Sequence, residues 1–482
     1  MGTGTICMHH SFVSVLIHTV SSPQRIESSS IPSLPTIPAT MKFLCISVGF
    51  FAAAAGASAF QTSLPGHHAA RPQVQCGMSS VIDLRPSSTG RDVYAMEEWA
   101  RGYGVQTAPG VELVTEDRQD YGVRASQGIS AGSPVMFVPA SLVLSSSAIQ
   151  QEFAGGLDGA EQILTQVGAA DRLPLFRLMV KILREYELGM ESPYYAWLNS
   201  MPKLFYNGVA MSDACFEALP PYVARLAFNE RQKFAYDFDA LSRGGVPLSP
   251  ETTRNEDIAK WAYNIALTRH QVVIPAVEKK ISPLADMLNH GTYPNVEITY
   301  DDQGNCMVTA MYDIPAGSPL TVSLGDPSNP SPMFATYGFL EDDTPGIFCK
   351  ALEHEGEMQE LGYGFKDMLF GTQTGEISAQ VWDVFLYKLL KDNNDENQTN
   401  FLTAVRNNDE GTKQQVAQQY FPYTLQALKD HVDGTIGLIN QLIMKANTYD
   451  RTTHPRVVII IAHNELVKET FEKVQSQLYA MG

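Results

Sequence analysis

Pro283-Leu284-Ala285-Asp286-Met287-Leu288-Asn289-His290 is followed by Asn295 and Val296, and then by Ile314-Pro315-Ala316-Gly317-Ser318-Pro319-Leu320. Gly325, Ser328-Asn329 and Tyr337-Gly338-Phe339-Leu340 come next. Singly these pieces say little: Asn-His is a common dipeptide, and Tyr-Gly-Phe often just ends a helix. Their order and spacing together carry the signal. Around them the chain reads as strands over 296–300, 307–311 and 320–323. Asp301-Asp302-Gln303-Gly304 makes a hairpin turn between the first two.

Upstream, Tyr94, Ala95 and Trp99 at helical spacing predict a helix over 91–102 that closes at Gly102. Apolar runs broken by glycine at 111–114, 123–125 and 134–139 read as strands. From 145 to 271 the period becomes helical. Leu175, Leu178, Met179, Ile182, Leu183 and Tyr186 form one apolar face, with Pro174 suited to the first turn and Gly189 to the exit. Further helices are expected over 220–241 and 257–271. The order strand, helix, strand is best met by one β-rich domain at 90–345 with a helical insertion at 145–270. Gly128-Ile129-Ser130-Ala131-Gly132-Ser133-Pro134-Val135 echoes Asp313-Ile314-Pro315-Ala316-Gly317-Ser318-Pro319-Leu320, each a glycine turn feeding a strand. Beyond Lys350, helical periods at 377–391, 411–447 and 455–478, with a polar loop at 392–399, predict a separate all-α domain over 350–480. The expected class is mixed α+β.

Composition narrows the function. Hydrophobic residues make up 44% and charged residues 18%, which suits a globular chain. Asp plus Glu is 52 against 34 Lys plus Arg, a net −18. Residues 1–80 hold Arg25, Lys42 and Arg71 against Glu27, a net +2, so the remainder carries −20. An acidic body argues against a nucleic-acid binder and fits a partner with a basic segment. Cys215, Cys306 and Cys349 are scattered, with no CxxC and no Cys/His cluster, so reduced buried thiols are expected and no metal site.

The first eighty residues read as an address. Met41-Lys42 precedes an apolar run over 43–60 that ends in Ala57-Ser58-Ala59-Phe60, the parts of a secretory signal peptide over about 41–59. Residues 61–80 contain Arg71, two His, Ser and Thr and no acid, as in a transit peptide. Ala-Ser-Ala-Phe resembles the cleavage motif of bipartite plastid presequences, which implies translation from Met41, a plastid location and no membrane segment in the mature form. The competing reading of 43–60 as an anchor is marginal against the roughly 20 residues a span needs.

Phosphate-loop (GxxxxGK[ST]), HExxH and dinucleotide-type glycine motifs are absent from the sequence. The ordered pieces instead resemble the SET-domain family, protein methyltransferases that use S-adenosylmethionine. They are most similar to the branch with the Rubisco large-subunit lysine methyltransferase and the actin histidine methyltransferase. Gly128-Ile129-Ser130-Ala131-Gly132, Val138-Pro139, Ser192-Pro193-Tyr194-Tyr195-Ala196-Trp197-Leu198-Asn199-Ser200-Met201-Pro202 and Thr268-Arg269 complete the resemblance, which covers about 90–475. It implies a β-rich SET fold and a C-terminal substrate-binding domain. It implies a cofactor site of Gln119, Asp120, Tyr121, Arg269, Asn289 and His290. Asp286, Tyr337 and Arg269 would border the channel of the target side chain, with Tyr337 catalytic.

The residue types suit the reaction. Methyl transfer from a sulfonium is an in-line displacement, so the site must chiefly align two reactants, worth roughly 7–11 kcal/mol. A lysine amine must be neutral, and desolvation beside a cation favours that form. Two positions depart from the family. Asp120 stands where a glycine is usual, although Asp tolerates left-handed backbone. Leu324, before Gly325, stands where a tyrosine is usual. The expectation is therefore a lysine methyltransferase acting on a plastid protein. Its alternatives are a non-catalytic SET-like binding module and a methyltransferase for histidine or another side chain.

Overall fold

The echo between the two glycine turns is a structural pairing. In the computed structural model, which describes residues 82–481 apart from 86–89, 275–276, 327, 342 and 394, Ile129 and Ile314 exchange backbone hydrogen bonds of 2.9 and 2.7 Å. Gly132 and Gly317 take φ of +73° and +86°, the left-handed region that favours glycine. Gly122–Ala125 (β3) leads into the first turn and Pro134–Val138 (β4) leaves it. Cys306–Ala310 (β10) leads into the second and Pro319–Val322 (β11) leaves it. β4 pairs with β10 and β3 with β11, both antiparallel, so the similar segments lie back to back across two sheets.

The remaining strands extend these sheets. Gln106–Thr107 (β1) and Val296–Tyr300 (β9) complete the order β1-β4-β10-β9. Val111–Val114 (β2) and Asn289–His290 (β8) complete β2-β3-β11-β8, with β8 parallel to β11. Asp301 accepts from the amides of Gln303 and Asn305 and closes the β9–β10 hairpin. Leu144–Ser145 (β5), Gln271–Val273 (β6) and Glu278–Ile281 (β7) form a three-stranded sheet at the base of the helical insertion.

The insertion carries the expected helices at Leu173–Leu188, Pro221–Arg243 and Glu256–Arg269. Leu175, Leu178, Met179, Ile182, Leu183 and Tyr186 are all buried, each worth about 1.5–3 kcal/mol for a side chain of that size. The C-terminal region is built on Ala379–Asp392, Glu410–Ala446 and Val457–Ala480. A ribbon there, Gly346–Phe348 (β12) against Leu369–Gly371 (β13), had no alternating pattern to announce it, because both strands are only three residues long. The expected loop at 392–399 is also shorter, since Asn397–Arg406 is a helix that buries Phe401, Ala404 and Val405.

Two clusters of buried side chains result. One joins the β sheets to Leu173–Leu188, Glu256–Arg269 and the C-terminal half of Pro221–Arg243. The other joins Met211, Tyr222, Val223, Ala227 and Phe334 to the C-terminal helices. Pro221–Arg243 thus contributes to both. Cys215, Cys306 and Cys349 are free and buried, as their spacing indicated. Among the described residues no helix is long and apolar enough to cross a membrane. The presequence expected over 1–80 lies outside the described residues.

Candidate functional site

The parallel contact of β8 with β11 gathers the motif residues. Leu284, buried with φ +74°, turns the chain into the short helix Ala285–Met287. A non-glycine residue in that region stores about 1–3 kcal/mol of strain, a cost that clusters at functional sites. The turn sets Asp286 against Arg269, the last residue of helix Glu256–Arg269, whose start Asn255 caps through the amides of Asp257 and Ile258. Arg269 Nη1 donates to the Asp286 carbonyl at 3.0 Å and to its Oδ2 at 3.1 Å. Trp197 Nε1 donates to the same Oδ2 at 3.1 Å.

Asp286 was expected to border the target channel. Its side chain is 0% exposed and accepts hydrogen bonds from Trp197 and Arg269. Trp197 lies within a quoted motif, but nothing in its spacing pointed to Asp286.

A second cation went unnoticed in the sequence. Arg91 Nε donates to the Ser200 carbonyl at 2.6 Å and Nη1 to the Gln119 carbonyl at 2.9 Å. Its guanidinium lies 5.3 Å from the Tyr121 ring centroid. Arg91 and Arg269 approach the sulfur of Met287 at 3.6 and 3.7 Å. Burial and then the charge of Arg269 pull the Arg91 guanidinium down to about 9. The two guanidiniums thus lie close together, with the carboxylates of Asp286 and Asp120 acting on Arg91 from nearby.

The loop before β3 departs from expectation at one residue. Arg118, not Asp120, takes the left-handed conformation, with φ +64°. Asp117 causes this: its Oδ1 accepts from the amides of Gln119 and Asp120 at 2.8 and 2.9 Å, which tightens the turn two residues earlier. Asp120 itself is pushed above the usual carboxylate range, by burial first and then by the charge of Asp117. Gly122 lies under Asn289, where an added Cβ would sit 2.9 Å from Nδ2. The exposed Asn289 side chain thus projects over a gap that glycine leaves open.

His290 ties the strands together. Its Nδ1 accepts from the Leu324 amide at 3.0 Å, which puts the ring proton on Nε2. That Nε2 is 3.8 Å from Glu341 Oε2 and has no hydrogen-bond partner among the described residues. Tyr337, near the end of helix Pro330–Tyr337, donates its hydroxyl to the Leu324 carbonyl at 3.3 Å. Burial, and secondarily the charge of Glu230, raise the Tyr337 phenol above its ordinary value. The Leu324 backbone thus meets both His290 and Tyr337, while its side chain packs half-buried on the core.

Gln119 and Tyr121 therefore contact Arg91, Arg269 contacts Asp286, Asn289 and His290 lie on β8 beside β11, and Tyr337 contacts Leu324. Three of the five buried side-chain atoms without hydrogen-bond partners among the described residues, Arg269 Nε, Asp286 Oδ1 and His290 Nε2, belong to this group. Two unmet donors, Arg269 Nε and His290 Nε2, beside two guanidiniums suit an anionic, hydrogen-bonding ligand.

Comparisons with known proteins agree with this geometry. The SET domain family model matches residues 120–325. Actin-histidine N-methyltransferase of Gallus gallus is 24% identical over 311 residues, covering 61% of this chain and 48% of its own. That of Xenopus tropicalis is 23% identical over 318 residues, covering 61% and 49%. The chain thus spans about half the length of these curated relatives. The SET domain of LSMT bound to lysine and AdoHcy superposes with TM-score 0.52 at 12% identity, covering 81% of this chain and 91% of that one. Rubisco LSMT bound to AdoMet gives 0.51 at 12% identity, covering 81% and 92%. The chain therefore carries a SET domain over residues 120–325, within a mixed α+β fold shared with LSMT.

Proposed function

We propose that this protein is an S-adenosylmethionine-dependent protein N-methyltransferase that modifies lysine on a plastid protein. The observation that carries the reading is the two unpartnered buried donors, Arg269 Nε and His290 Nε2, beside the two guanidiniums that meet Met287 just before β8. Arg269 and Arg91 would hold the cofactor's carboxylate, since a guanidinium matches a carboxylate in a two-pronged bond. Asn289 Nδ2, the His290 backbone and the backbone of Gln119, Asp120 and Tyr121 would line the rest. When bound, the cofactor supplies an electrophilic methyl group on a sulfonium. The protein's part is to align the acceptor nitrogen, exclude water and keep that nitrogen neutral. Tyr337 and the Leu324 carbonyl are the polar groups placed to orient it.

A second reading, histidine as the acceptor, has two supports. The curated relatives are actin-histidine N-methyltransferases. Leu324 also offers a flat imidazole an apolar wall and a lysine amine no hydroxyl. The chain from Val81, given methyl-labelled S-adenosylmethionine and stromal proteins, separates the readings. A labelled band mapped to lysine is expected; a mapped histidine selects the second. Leu324→Tyr should raise lysine turnover if the first holds. No label and no thermal stabilisation by the cofactor would leave a protein-binding module. The plastid address is tested separately, by fusing residues 41–80 to a fluorescent protein and imaging algal cells.

A further inference from the structure

Helices Pro221–Arg243 and Pro330–Tyr337 pack side by side around a cavity of about 490 Å³, whose lining includes Leu226, Asn229, Glu230, Lys233, Pro332 and Thr336. Glu230 is 6% exposed. Its Oε1 accepts from Lys233 Nζ at 2.7 Å, while its Oε2 is buried with no hydrogen-bond partner among the described residues. Thr336 on the opposite wall directly precedes Tyr337, whose phenol feels the charge of Glu230.

A buried carboxylate oxygen without a donor is costly unless something supplies one. Lys233 meets only half of this need. Its side chain is 47% exposed, and pairs of that kind contribute little. A cationic side chain entering the cavity would give Oε2 a charge-assisted hydrogen bond and lay its methylene stem on Leu226 and Pro332. The −20 charge of the chain beyond residue 80 favours the approach of a basic segment.

We propose that this cavity receives an arginine or lysine side chain flanking the methylated residue of the acceptor protein, with Glu230 as its counter-ion. The identity of the partner rests on the methyltransferase reading; the capture of a basic side chain does not. The test uses the full chain and n-butylguanidinium chloride as the probe, read by saturation-transfer NMR against potassium chloride at equal ionic strength. Wild type is expected to bind. Glu230→Gln should weaken binding about tenfold, and Lys233→Ala, by freeing Oε1, should tighten it roughly threefold. A gain of affinity cannot arise from misfolding. No binding by wild type, or equal binding by Glu230→Gln, overturns the proposal. A degenerate peptide library with a central lysine and labelled cofactor provides the second readout. Enrichment of basic flanking residues that Glu230→Gln loses supports the proposal, and labelling without basic preference overturns it. Absence of cofactor-induced stabilisation would remove the methyltransferase reading, while the guanidinium result would still decide the cavity.

Discussion

Asp286 keeps a fully buried carboxylate against Arg269 and Trp197. Removing one half of such a pair leaves a buried charge uncompensated, at about 3–5 kcal/mol. Asp286→Ala should lower the unfolding free energy by about that amount in a urea titration, and should also abolish stabilisation by S-adenosylmethionine. Among the described residues the Tyr337 side chain makes one hydrogen bond, to the Leu324 carbonyl. Tyr337→Phe should therefore cost only about 1 kcal/mol of stability but slow methyl transfer about a hundredfold through lost alignment, which initial rates beside a thermal melt will separate. Asp286 and Tyr337 were legible in the sequence because each sits in a short ordered motif. The bonds of Trp197 to Asp286 and of Arg91 to Met287 were not legible. They span 89 and 196 residues, and no local pattern records a contact at such separation.

Gly338 ends helix Pro330–Tyr337 with φ +80°, and a Cβ there would lie 2.5 Å from Asn207 N and Tyr206 C. The same junction is bound by Asn207 Nδ2 donating to the Thr336 carbonyl at 2.9 Å and by the Gly208 amide donating to that of Ala335 at 2.8 Å. Gly338→Ala combines left-handed strain of about 1–2 kcal/mol with about 1–3 kcal/mol of overpacking. Gly317 has φ +86° and open space around it, so Gly317→Ala should cost only the strain. Urea titrations of the two variants should place Gly338→Ala clearly lower. Glycine at both sites was visible in the sequence, and the Gly128 and Asp313 segments even repeat one another. That the repeats pair through Ile129 and Ile314 was not visible, because similar segments can lie far apart as readily as in contact.

At the scale of the molecule, His463 links the C-terminal helices to the site. It is 1% exposed on helix Val457–Ala480, and its ring lies 4.8 Å from that of Phe334, three residues before Tyr337. Burial, and then the charge of Lys350, pull the imidazole down to about 3 from its ordinary 6.5. The folded protein therefore keeps His463 neutral where the unfolded chain would protonate it. Its contribution is fully present above pH 6.5 and is lost as pH falls toward 3. The loss approaches about 1.4 kcal/mol per pH unit within that window. Unfolding free energies at about pH 6.5, 5.5 and 4.5 should fall less steeply in His463→Gln than in wild type.

Strand and helix positions followed from periodicity alone at Leu173–Leu188, Val296–Tyr300 and Val457–Ala480, because side chains on one buried face repeat locally. Glycine turns and the ordered motif pieces were local too, and with them the SET domain was already legible. The convergence of Arg91 and Arg269 on Met287, the enclosure of Asp286 and the cavity at Glu230 arose only on folding. Each joins segments far apart in the chain, and burial there, not residue type, sets the charge balance of the site.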